Sequence, residues 1–174
     1  MNKAKENKLN KTGQNFKISG LDKIVVNVGT GRFSGLPNFE EKTLPELIKE
    51  LSLVTGQKPA ARPAAKSIAG FKLRMGTVVG LKTTLRKKRM NEFMKKLLKV
   101  ALPRVRDFRG IKKESVDANG NLTIGLKEHL VFPEISPELS KVNFGMEITF
   151  VPKMQNKEKA VELYKELGIP FKKS

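Results

Sequence analysis

The stretch QKPAARPAAKSIAGFKLRMGTVVGLKTTLRKKRMNEFMKKLLKVALPRVRDFRGIKK, residues 57–113, decides how the chain is read. It carries 18 of the 35 lysines and arginines but only two of the 17 acids, Glu92 and Asp107, so +16 of the formal +18 lies in about a third of the chain. Charge concentrated in this way repels itself unless a polyanion neutralises it, and a nucleic-acid backbone has the matching charge spacing. A merely solvated basic surface would intersperse both signs. Within the stretch, TVVGLKTTLR (77–86) alternates with period two. Leu81, Thr83 and Leu85 fall on one face, and Lys82, Thr84 and Arg86 on the other, which is built for an anion.

On either side of that strand the segments change character. Residues 57–76 read as a short edge strand running into a long basic loop, a length that is uncommon without a functional reason. From Lys87 to Ala101 the apolar residues Met90, Phe93, Met94, Leu97, Leu98 and Ala101 recur at helical spacing, with Lys88, Lys95, Lys96 and Lys99 largely off the stripe, and Pro103 is the expected stop. The run RKKR (86–89) is treated as one more basic cluster of a nucleic-acid binder rather than a targeting signal. In RVRDFRG (104–110), Asp107 is expected to pair with Arg104, Arg106 or Arg109 rather than to act as a base.

Further out, LDKIVVNVG (21–29) predicts a strand with Ile24, Val26 and Val28 inward and Val25 and Asn27 outward. The GTG that follows lacks dinucleotide-fingerprint spacing and reads as a turn. Asn38 and Glu41 stand in capping-box register before a helix carrying Leu44, Leu47, Ile48, Leu51 and Val54. There Pro45 either kinks the helix or moves its start to Leu44, and Gly56 stops it. Beyond the basic stretch, LTIGL and HLVFPEI predict a pair of short strands joined at Gly125. NFGMEITFV (143–151) predicts a strand with Phe144, Met146, Ile148 and Phe150 inward. Asn156 is the expected cap of a last helix ended by Gly168 and Pro170. The order of elements predicts a single α+β domain, residues 17–174, with a mainly antiparallel sheet covered by helices on one face and open on the other. Residues 1–16 read as a flexible basic tail ahead of it.

Composition narrows the chemistry. With no cysteine, thiol nucleophiles, zinc fingers, iron-sulfur clusters and disulfides are excluded together. The one histidine, His129, has no nucleophile or second histidine beside it and reads as structural, and there is no P-loop. No cofactor, metal site or enzymatic activity is expected. The first residues contain no apolar signal core and no run is long enough for a membrane span, so a soluble cytoplasmic protein without a membrane partner is expected.

The motifs AAKSIAGFKLRMG, GLKTTLR, LPRVRDFRGI, NGNLTIGLKEHLVFPEI and EITF resemble the bacterial large-subunit ribosomal protein five family, from about Leu21 to Lys173. The resemblance implies a scaffold protein that attaches 5S rRNA to the central protuberance of the large ribosomal subunit, beside 23S rRNA and other proteins there. It implies 5S rRNA contacts at Asn27, Gln57 and Thr84, with Lys58, Lys82 and Arg86 on phosphates. It further implies that the loop Ala64 to Gly76 touches P-site tRNA through Lys66, Phe71, Lys72 and Arg74. The region Arg109 to Ile135 would meet the small-subunit head protein thirteen. The family usually begins with an N-terminal helix where this chain has a short polar tail. An assembly factor or RNA chaperone using the same domain is the alternative function.

Overall fold

The computed structural model describes residues 20–172 apart from Leu36 and Lys72; the expected tail at residues 1–16 lies outside the described residues. Five strands form one sheet in the order β2-β3-β1-β5-β4, with every neighbouring pair antiparallel. These are β1 (Leu21–Gly29), β2 (Ala60–Pro63), β3 (Val78–Leu85), β4 (Leu122–Leu126) and β5 (Met146–Pro152). The helices are α1 (Leu44–Thr55), α2 (Lys87–Lys96), a single turn α3 (Leu102–Arg104) and α4 (Lys157–Glu166). Among the described residues no helix is long and apolar enough to cross a membrane.

Period-two patterning explains which face is covered. Ile24, Val26 and Val28 of β1, Leu81 and Leu85 of β3, and Met146, Ile148 and Phe150 of β5 are all buried. They share one core with Leu47, Leu51 and Val54 of α1, Met90, Phe93 and Met94 of α2, and Ala160 and Tyr164 of α4. The alternate residues Val25, Asn27, Lys82, Thr84, Thr123 and Thr149 are only half-buried and line the opposite face. The α+β architecture with helices on one face is thus as the sequence predicts.

Both prolines expected to disturb helices are accommodated by the same device. A widened turn, Phe39–Thr43, precedes Leu44-Pro45, and another, Leu97–Ala101, precedes Leu102-Pro103. In each, the leucine N–H reaches back five residues, to Phe39 O and to Leu97 O. Widening shifts the carbonyl that the proline ring would otherwise strike and resets the hydrogen-bond register at the residue that has no N–H to give. Pro103 therefore does not end the helical run, which continues to Arg104 and leaves helix at Val105. Nor does Asn38 cap α1: it is left-handed (φ 58°) with no side-chain cap bond, and the helix begins at Leu44. Asn156 does cap α4, its Oδ1 accepting from Lys159 N–H at 3.1 Å.

One predicted strand is absent. LTIGL forms β4 with Gly125 inside it, and it pairs with β5, whereas HLVFPEI begins with a tight turn at His129–Val131. The His129 ring is fully buried and stacks on Phe144 at 3.9 Å, with Phe132 and Ile135 also turned into the core. Burying residues 129, 132 and 135 needs a three-residue period, which an alternating strand cannot supply.

Candidate nucleic-acid interface

Two rows of side chains cross the open face. Register sets Asn27 opposite Lys82 on one side and Glu147 on the other, and in the next row sets Val25 between Thr84 and Thr149. Thr123 extends that second row, its Oγ1 3.3 Å from that of Thr149. Adjacent strands lie about 4.8 Å apart, so residues separated by more than fifty positions in the chain become immediate neighbours. Charge is graded across the face: Lys82 sits on the β3 side of Asn27, and the exposed acid Glu147 on the β5 side.

Gln57 reaches the β3 backbone from the end of α1. Gly56 adopts a left-handed conformation (φ 66°) and its N–H bonds to Ser52 O, which turns the chain out of the helix. Gln57 Nε2 then donates to the Thr84 carbonyl at 3.4 Å, while Oε1 accepts from Arg89 at 3.1 Å. One corner of the sheet therefore ties together α1, β3 and α2. Lys58 and Arg86 are exposed at the same corner, next in sequence to Gln57 and Leu85. Sequence reasoning does not single out Arg89; the only signal for it is its place in the RKKR run.

The start of α2 is unusual in charge. Arg86 precedes it, its first turn contains Lys87, Lys88 and Arg89 with no acid, and no side chain caps it. Cations at a helix N-terminus oppose the helix dipole, so this placement does not serve the helix.

The loop between β2 and β3 is a hairpin rather than an unstructured excursion. Ile68 and Leu73 exchange backbone bonds of 2.9 and 3.1 Å, Gly76 N–H bonds to Ala64 O, and Ser67 Oγ accepts from Met75 N–H. Its tip presents Phe71 at 82% exposure and Met75 at 70%, with Lys66 and Arg74 exposed nearby. Lys72 lies outside the described residues. The loop residues are thus displaced from the Asn27, Thr84 and Gln57 corner and form a separate surface.

At the far edge, a groove of about 850 Å³ runs between residues 104–112 and β4, with Arg104, Arg106, Arg109, Lys112, Lys127 and Lys172 among its lining residues. Asp107 pairs with Arg106 at 3.8 Å, both exposed, as expected of a surface ion pair rather than a base. His129 is likewise structural: its Nδ1 accepts from Phe144 N–H, and its Nε2 faces Glu50 and Ser140. Among the described residues no cluster of three or more potential ligands could hold a metal ion.

An uncovered sheet face, edged with cations and carrying neutral hydrogen-bonding side chains, has the make-up of the class of proteins that hold a polyanionic chain. Comparison with known proteins gives that class a family. Residues 14–74 match the model for ribosomal protein L5, and residues 78–171 match the model for the C-terminus of the same ribosomal family. The chain is also 49% identical over 159 residues to the large ribosomal subunit protein uL5 of Oceanobacillus iheyensis, covering 91% of this chain and 86% of that protein. The chain belongs to the ribosomal protein L5 family. This is a family of structural, non-enzymatic proteins of the large ribosomal subunit, which in bacteria works in the cytoplasm.

Proposed function

We propose that the open face of the sheet binds 5S rRNA and so helps attach it to the large subunit at the central protuberance. The observation that carries this reading is the placement of Asn27 and Thr84 in neighbouring rows of the open face, with the Gln57 amide on the Thr84 carbonyl and the cations Lys82, Lys58 and Arg86 around them. The cations hold phosphates and set register, while the amides and the hydroxyl meet ribose hydroxyls and base edges. The loop Ala64 to Gly76 contacts P-site tRNA through Lys66, Phe71, Lys72 and Arg74, and the region Arg109 to Ile135 meets the small-subunit head protein thirteen. Further partners are 23S rRNA and neighbouring central-protuberance proteins. No step of this function uses a catalytic group.

A filter-binding titration tests the central claim, using the full chain against 5S rRNA and a length-matched control RNA at two salt concentrations. Preference for 5S rRNA that persists at the higher salt is expected. Equal binding to both RNAs that disappears with salt would reduce the face to a non-specific basic patch.

A further inference from the structure

Arg89 holds Gln57 in one orientation, and we infer that this decides which hydrogen-bonding group the corner of the open face offers to RNA. The inference rests on the reading of that face as the 5S rRNA site. A glutamine amide is nearly symmetric in shape, with an acceptor on one arm and a double donor on the other, so left alone it presents either arm. Here both neighbours are single-minded. Arg89 can only donate and the Thr84 carbonyl can only accept. The observed contacts, Arg89 to Oε1 at 3.1 Å and Nε2 to Thr84 O at 3.4 Å, satisfy both, whereas a flipped amide would set donor against donor and acceptor against acceptor. What stays free is the second Nε2 hydrogen and one lone pair of Oε1, the latter beside the Arg89 guanidinium. The corner therefore offers a donor at a fixed place, suited to a ribose oxygen or a base carbonyl, and any acceptor role stays on the arm that Arg89 occupies.

The surroundings of Arg89 point the same way. Glu92 lies one turn further along α2, within reach of an arginine at that spacing, yet it pairs with Lys88 at 3.9 Å. Among the described residues Arg89 enters no ion pair and instead reaches a neutral glutamine more than thirty positions away. Its place in the first turn of α2 works against the helix dipole, so helix stability does not account for it. Arg89 is thus a positioning residue that acts through Gln57, distinct from the phosphate-holding cations beside it.

Because Arg89 is exposed, its removal does not threaten the fold, and a double-mutant cycle can be read directly. The full-length variants Arg89→Ala, Gln57→Ala and the double variant are titrated against 5S rRNA across a salt series. Arg89→Ala is expected to weaken binding about fivefold with the salt slope of the parent, and to add nothing in the Gln57→Ala background. A salt slope lower by about 0.9 would mean that Arg89 grips a phosphate directly, and would overturn the inference. So would unchanged affinity, or full additivity of the two substitutions. The Gln57 side-chain amide resonances of the free protein separate this outcome from failure of the parent reading. They shift and broaden in Arg89→Ala if the clamp exists, whether or not 5S rRNA is the ligand, and their constancy would sink it.

Discussion

His129 Nε2 lies 2.9 Å from Glu50 Oε2, joining the turn after β4 to the middle of α1. Phe144 N–H donates to Nδ1, so the ring hydrogen is on Nε2, directed between Glu50 and Ser140 Oγ. The neutral ring is the form that fits. Burial holds its pKa below the ordinary 6.5, against the opposing pull of the Glu50 charge.

Stability between neutral pH and pH 5 should therefore depend on this group. Well above pH 6.5 neither the folded nor the unfolded chain protonates His129, and its contribution is fully present. As pH falls below that value the unfolded chain takes up a proton that the folded chain refuses, and stability is lost by up to about 1.4 kcal/mol per pH unit. Since the chain has a single histidine, denaturant melts between neutral pH and pH 5 isolate the effect, and His129→Phe should flatten it. A decline that persists in His129→Phe would assign the dependence elsewhere.

Tyr164 gives a second titration of opposite form. Its hydroxyl lies 2.8 Å from Gly120 O and 3.1 Å from Phe150 O, and burial pushes its pKa far above the ordinary 10.0. This contribution is whole below pH 10 and fades as the unfolded chain ionises at higher pH. With one tyrosine and no tryptophan, ultraviolet absorption reports this group alone. Phenolate should appear together with loss of circular dichroism, not ahead of it. Tyr164→Phe should cost about 1–2 kcal/mol in a denaturant melt.

Separable RNA variants follow from the layout of the surface. Asn27→Ala or Thr84→Ala should weaken 5S rRNA binding by about 1–3 kcal/mol, since each leaves a polar RNA group unpaired. Replacing Lys66, Lys72 and Arg74 together by alanine should leave selectivity for 5S rRNA over the control RNA intact and lower only the shared electrostatic component. Should the loop variant lose selectivity as badly as the sheet variants, the division between face and hairpin is wrong.

The charge gradient makes a prediction with the opposite sign. Glu147 stands across from Asn27, and on the proposed reading of this face its charge would repel a phosphate that strays toward β5. Glu147→Lys should tighten binding to both RNAs, steepen the salt slope by about 0.9 and narrow the preference for 5S rRNA. A gain confined to 5S rRNA would contradict that role.

Much of this was open to reading along the chain. The alternation in TVVGLKTTLR and NFGMEITFV assigned inward and outward residues of β3 and β5 correctly, because the side-chain period of a strand is a local property. The same holds for the Asn156 cap, a bond between residues three apart. HLVFPEI misled for an equally definite reason: a short apolar run fits a strand or a tight turn, and the choice fell to the buried site that Glu50 and Phe144 provide for His129.

Composition and periodicity alone determined that this chain folds as α+β, that one sheet face is apolar and the other polar, and that the positive charge is concentrated in residues 57–113. Only the tertiary structure decided that β1 lies between β3 and β5, which puts Asn27 beside Lys82, and that Gln57 reaches the Thr84 carbonyl with Arg89 on its other arm. Strand order is set by which pairings let all the apolar faces close over one core together. That condition involves the whole chain at once, and no local window of sequence contains it.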